Sequence, residues 1–489
     1  MSNWILLTLS LVAFDPASQA ADRAPDGDSI GFASHLTSIY SDDTAAREKA
    51  AAELRRAGPS SLESLLAERD RLIALYREVT DGDAAVSYNR KLAKLDDAID
   101  QVAQQRYAGP SRLYWHTDLE TAKAAAQAAK KPILSLRLLG KLTDDLSCAN
   151  SRFFRTTLYP NREVSEYLRN HFILHWQTFR EVPRVTIDFG NGKKIERTLT
   201  GNSIHCILDS AGRPIDALPG LYSPTDFVRG LKQGAQLNAA LAQAPEAQRS
   251  RILIEAHTAL ADQSTRQWLR ELQQVAPTAA ATVSLSRLDE ARQLLNVSMQ
   301  ARNQVNGPQS QAAPATATPV AAPNPPVVNP PAAAAAPLAV TKSRVEIPLL
   351  KGLALMQKLT TATSDEQWEK LAGLHRPTVK LDSESRKLIK KQQPLAPFHM
   401  RGQSLDAALE VMFDRLEREI AFDSTRNEYL FRNQIHDWFR KGEGDRTVDV
   451  LNARVYNELF LTSDKDPFAG LVSPESFTGI ERGGFVERK

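Results

Sequence analysis

The chain has 489 residues, more than one hydrophobic core normally organises, so roughly two to four domains are expected. Hydrophobic residues make up 42% and charged residues 24%, which places most of the chain among globular proteins and excludes wholesale disorder. Lys and Arg number 61 against 58 Asp and Glu, a formal charge of +3 with no long basic run, so nucleic acid is not an expected partner.

Residues 1–20 read as an export signal: an apolar stretch over 4–14 is followed by Ser18-Gln19-Ala20, with cleavage expected near Ala20. The n-region lacks Lys and Arg, and the stretch is too short to span a bilayer comfortably. No later segment is apolar enough for stable membrane insertion, so the expected product is exported, periplasmic or cell-envelope associated. Residues 28–109 form a helical lead-in, with Leu54, Leu62, Leu65, Leu72 and Leu75 spaced along the inner faces of successive helices. Gly58-Pro59-Ser60-Ser61 separates two of them, with Ser60 or Ser61 as the expected cap. This segment carries no visible chemistry and reads as a packing module.

From Leu113 helices alternate with short apolar runs, the pattern of an α/β domain over 110–232. Helices are expected over 118–131, 152–158, 163–170 and 223–231, the last with Ser223 as cap and Pro224 at its first position. Strands are expected over 133–138, 172–176, 204–208 and 214–218, with a hairpin around Gly190-Asn191-Gly192. Residues 233–306 return to helical patterning. An Ala/Pro-rich tract over 307–342 cannot bury a core; at about 3.1 Å per residue it would separate its neighbours by roughly 100 Å at most. The remaining 343–489 is expected to be a separate, mainly helical domain, with helices over 405–420 and 427–440. Its aromatic stripe of Tyr429, Phe431, Trp438, Phe439, Tyr456 and Phe460 reads as core, and residues 466–479 as irregular. The fold class is thus multidomain α/β plus α.

Only Cys148 and Cys206 are available for thiol chemistry, which excludes a disulfide-dense scaffold. Cys148 falls at the start of the expected helix after the first central strand. There the unpaired backbone N–H groups and the helix dipole favour a thiolate; Arg152 would add positive potential and Ser151 could donate a hydrogen bond to sulfur.

The order of elements, together with Trp115, residues 125–132, Pro160-Asn161-Arg162-Glu163-Val164, Phe172-Ile173-Leu174 and Leu218-Pro219-Gly220-Leu221-Tyr222-Ser223-Pro224, resembles the thioredoxin-like superfamily, in particular its exported members. The resemblance covers about a quarter of the chain. It implies a thioredoxin-like central domain with a degenerate Cys-X-X-Ser motif, Cys148, Ser151 and Arg152 as site residues and Cys206 as a possible second thiol. Ser151 stands where the family has its resolving cysteine, so ordinary dithiol turnover is not implied. The family's cis-proline is also missing near Ser203-Ile204, and residues 140–147 lengthen the approach to Cys148.

Three readings of Cys148 remain open: a monothiol site forming mixed disulfides, as in an oxidoreductase or isomerase; a structural remnant in a fold kept for binding; and a disulfide with Cys206. The corresponding functions are a monothiol redox or client-binding module acting on envelope proteins, or a non-catalytic scaffold with a tethered partner-binding domain. Protein clients or thiol-containing small molecules are the expected partners, and no cofactor or metal is expected. His171 and His175 straddle a helix-to-strand boundary and lack the shared face of a metal pair. His116, His205 and His436 stand isolated in sequence, with His205 directed to the face opposite Cys206.

Overall fold

The computed structural model describes residues 28–77, 82–198, 201–277, 364–391, 405–444, 446–460 and 462. The expected export signal, the Ala/Pro-rich tract, the helical patterning over 278–304 and the irregular end at 466–479 lie outside the described residues.

Four helices open the described chain: α1 (Asp28–Tyr40), α2 (Thr44–Ala57), α3 (Pro59–Tyr76) and α4 (Gly82–Ala103). They bury Ile39, Leu54, Leu62, Leu65, Leu95 and Ile99 in a core of their own, as the leucine spacing predicts. The cap of α3 differs from the expectation. Gly58 at φ 97° precedes it and Pro59 is its first residue, leaving Ser60 and Ser61 inside the first turn. Proline's fixed φ starts the helix at least two residues earlier than a serine cap would. After α4 the backbone turns sharply into the single turn α5 (Ala108–Ser111), with Gln104, Tyr107 and Arg112 at positive φ. The Asp100 carboxylate holds this turn by accepting the N–H groups of Tyr107 and Ala108 at 2.9 and 2.8 Å.

The sheet that follows is mixed, with five strands in the order β1-β3-β2-β6-β7: β1 (Trp115–His116), β2 (Ile133–Leu139), β3 (Ile173–Arg180), β6 (Ser203–Leu208) and β7 (Pro214–Pro219). β1, β3 and β2 run parallel; β6 is antiparallel to β2, and β7 to β6. Every residue of β2, β6 and β7 is buried, which is why these strands read as apolar runs rather than alternating patterns. Helices α6 (Leu119–Ala129), α8 (Arg162–His171) and α9 (Pro224–Gln243) connect and cover them. The Asn-Gly hairpin forms as a separate ribbon, β4 (Arg184–Asp188) with β5 (Lys194–Thr198). Ser223 caps α9, accepting the Asp226 N–H at 3.1 Å. The boundary expected at 232/233 falls inside α9, which runs unbroken to Gln243 and is followed by α10 (Arg249–Val275).

The expectation of a C-terminal unit set apart from the sheet is corrected. Helices Leu405–Arg426, Asn433–Arg440 and Val448–Arg454 share one core with the strands, so that Phe413, Trp438, Phe439 and Tyr456 pack in the same cluster as Leu136 and Ile207. Polar contacts fix the join: Arg432 pairs with Asp216 at 2.8 Å, Arg137 with Asp449 at 2.9 Å, and Asn427 donates to Leu221 O at 2.7 Å. The physical reason is the edge of β7, whose open backbone is covered by residues 427–440 rather than left to water. Trp268 of α10 stacks on Trp368 of helix Asp365–His375, centroids 5.8 Å apart, in a satellite cluster that includes Tyr429. No helix among the described residues is long and apolar enough to cross a membrane.

Candidate functional site

β2 ends at Leu139 and the chain reverses at Gly140, whose φ of 73° only glycine adopts at little cost. The long approach to Cys148 folds back on itself. The buried Arg155 guanidinium donates to Leu142 O and Asp144 O, at 3.3 and 2.7 Å, and the Cys148 N–H returns to Leu139 O at 3.3 Å. The extra residues therefore form a closed loop, and Cys148 stands beside the end of β2.

Cys148 is the N-cap of α7 (Ala149–Phe153), a short helix that continues through one wide, π-helical turn over Phe154–Leu158. Its sulfur accepts the Ser151 N–H at 3.4 Å, which is the contact expected of a thiol at a helix start. Ser151 itself takes a different part from the one expected. Its hydroxyl bonds to Ser147 Oγ and to the Cys148 carbonyl, the latter at 3.0 Å, so only its backbone reaches the sulfur. Arg152 extends to the end of β5, donating to Thr198 Oγ1 at 2.8 Å, and Thr198 donates in turn to Ser147 O at 3.2 Å. Burial pulls the Arg152 guanidinium below the ordinary arginine value, while Cys148 draws it the other way.

The sulfur has no exposure to solvent. The thiol also reaches Asn202 O at 3.7 Å, the carbonyl that accepts the Tyr456 hydroxyl at 3.0 Å. Tyr456 lies in another wide, π-helical turn, Val455–Leu459, and its ring stacks on Phe179 with centroids 4.1 Å apart. Asn202 Nδ2 donates to Thr462 Oγ1 at 2.7 Å. The last described part of the chain thus roofs the thiol. Burial of the Tyr456 phenol, with a further contribution from Cys148, pushes its ionisation well above the ordinary tyrosine range.

Cys206 sits in mid-sheet opposite Ser135 and Ala217, fully buried, and burial pushes its thiol up to about 12. Both thiols are free, so the expected disulfide alternative is corrected. Cys148 is engaged at a helix cap and Cys206 in the interior of β6. His205 points the other way, as alternation predicts, and meets the Tyr159 hydroxyl at 2.7 Å among Phe154 and Phe227. His171 packs at a tilt against Tyr167, centroids 4.3 Å apart, while His175 bonds to Ser135 Oγ at 2.9 Å, so the two do not meet.

Asn202, Ser147, Thr462 and Tyr456 complete the surroundings of the thiol, and sequence reasoning singled out only Tyr456, as core. It is core, but its hydroxyl has a second task. A polar cleft of about 410 Å³ opens elsewhere, lined by Arg47, Glu48, Lys94, Asp97, Asp100 and Arg106 at the junction of the lead-in and the sheet. No family model matches the chain, and neither a curated protein nor a solved structure matches it.

Proposed function

We propose that the chain is an exported, thioredoxin-like client-binding protein in which Cys148 serves as a helix cap and not as a reacting thiol. The strand order and directions, with a cysteine starting the helix that follows β2, support the thioredoxin-like reading. The observation that carries the functional choice is the enclosure of the sulfur. It has no solvent exposure, lies against Asn202 O, and is roofed by Tyr456 from the chain's own C-terminal helices. A nucleophile must be reached by its substrate, and a thiol in this setting behaves as a small apolar side chain that satisfies one backbone N–H. Work on envelope proteins would then be binding, with the surface rather than the sulfur as the working part.

The Ser151 N–H on the sulfur favours one other reading, a monothiol oxidoreductase or isomerase that acts after the C-terminal segment lifts. Incubation of the native protein with oxidised glutathione separates the two. The binding reading expects no mixed disulfide at Cys148 over a period in which the urea-unfolded chain reacts fully. Stoichiometric glutathionylation of Cys148 in the folded protein would establish the monothiol reading instead.

A further inference from the structure

Three side chains from separate parts of the chain converge where the C-terminal helices meet the sheet edge: Asp216 of β7, His257 of α10 and His436 of helix Asn433–Arg440. All three are buried, and one ligand atom from each lies within 4.8 Å of the others. His257 Nδ1 and His436 Nδ1 face each other at 2.8 Å, although 179 residues separate them in sequence. Asp216 Oδ1 is 3.9 Å from His436 Nδ1.

The hydrogen bonds around these groups arrange them as ligands. His257 Nε2 lies 2.9 Å from Ile215 O, a carbonyl that only accepts, so the ring proton sits on Nε2 and the Nδ1 lone pair points into the cluster. A metal-bound imidazole has the same tautomer, held by the same kind of partner. Phe439 stacks on the His257 ring at 4.1 Å and fixes its plane. Asp216 Oδ2 accepts from Arg432 Nη2 at 2.8 Å, while Oδ1 accepts the Ala217 N–H at 2.7 Å and keeps a second lone pair for a ligand on the side of the histidines. The Arg432 charge does not oppose a cation unaided, because Glu428 receives its other nitrogen at 3.2 Å. Two nitrogens and one carboxylate oxygen form a borderline donor set, suited to a zinc-type ion rather than to calcium or magnesium.

We propose that Asp216, His257 and His436 bind a single zinc-type ion that fastens the C-terminal helix to β7 and α10. Without the ion, one proton on His436 Nδ1, donated to His257 Nδ1, reconciles their 2.8 Å approach; coordination shifts that proton to His436 Nε2, so both imidazoles stay neutral and turn Nδ1 to the metal. With three protein ligands, a water completes a tetrahedral shell.

The test uses the full chain, stripped with a chelator and titrated with cobaltous ion as a spectroscopic probe. One equivalent is expected to bind with the visible absorption of a tetrahedral nitrogen and oxygen site, and zinc is expected to displace it. Zinc should also raise the melting temperature of the stripped protein. His436→Gln and Asp216→Asn should each weaken zinc binding by more than about 100-fold, beyond the effect of losing an outer-shell partner. X-ray absorption on the loaded wild-type protein should show imidazole scattering and no sulfur, a readout that stands even if both variants fail to fold. The proposal is overturned if the stripped, folded wild-type chain binds no cobaltous ion. It is equally overturned if folded His436→Gln binds zinc as tightly as wild type, or if the absorption spectrum shows metal–sulfur scattering from Cys148 or Cys206.

Discussion

Replacing Tyr456 by Phe tests the roof over Cys148 with the smallest possible change. The ring and its stack on Phe179 remain, and only the hydroxyl that donates to Asn202 O at 3.0 Å is lost. A hydrogen bond of this kind contributes about 0.5–1.5 kcal/mol net. If a reagent reaches Cys148 only when the segment around Tyr456 opens locally, a loss of about 1 kcal/mol raises the open fraction, and the labelling rate, about fivefold. Tyr456→Ala also removes the ring, at a cost of about 3–5 kcal/mol if it resembles other aromatic truncations, and should raise the rate by more than about 100-fold. The assay is pulsed alkylation of the folded protein, followed by quantification of the Cys148 peptide by mass spectrometry. The Cys206 peptide, from mid-sheet, serves as the reference that Tyr456→Phe leaves unchanged. Labelling of Cys148 in Tyr456→Phe within twofold of wild type would refute the role of the hydroxyl. Wild-type labelling as fast as in urea would refute the enclosure itself.

Burial pulls His175 and His205 down to about 3, from an ordinary value of 6.5, with Arg137 adding to the effect at His175. Both are neutral in the folded state, so their contribution to stability is complete above pH 6.5. It is lost as pH falls from 6.5 toward 3, where the unfolded chain takes up protons that the folded chain refuses, at up to about 1.4 kcal/mol per pH unit for each histidine. The urea midpoint should therefore be lower at pH 5 than at pH 7, and less so in His205→Gln; equal midpoints in the wild type would contradict this. In the metal-free protein, Arg432→Met leaves the Asp216 carboxylate buried and without its cation, and should cost about 3–5 kcal/mol in urea unfolding. Adding Asp216→Leu should recover part of that loss, since the fully buried unpaired charge is then gone while Glu428 keeps Arg229 at 3.6 Å; a loss below about 1 kcal/mol in the single variant would show that the pair does not hold the C-terminal helices.

What the sequence made legible follows from local physics. The runs at 133–138 and 204–208 identify strands because both faces are buried, Asn191-Gly192 marks a hairpin because the turn needs positive φ, and Ser223-Pro224 marks a helix start because cap and fixed φ coincide. The partners of the amphipathic helices were not legible. The pattern over 405–440 says that one face is buried and is silent on what buries it, so helices that pack on β7 read as a separate unit. The pairing of charged residues was not legible for a related reason: Arg137, Asp216 and Arg432 are buried, and each has its ion-pair partner far along the chain. At Cys148 the position on a helix start was legible, while the sulfur's enclosure depends on Asn202 and Tyr456, which no local spacing connects.

The bond from Arg137 to Asp449 spans 312 residues, and the one from Asn202 to Thr462 spans 260. Contacts this distant in sequence are slow to form, because the loop must close before any contact rewards it. A growing chain therefore completes the sheet long before the helices that finish it have been synthesised. Until they arrive, β7 is an open template for other strands and the apolar faces around Phe413 and Trp438 have no partner. The protein's vulnerable interval is thus set by its order of synthesis, and a chaperone that holds the N-terminal half until the helices over 405–454 dock would act on this interval more than on the finished fold.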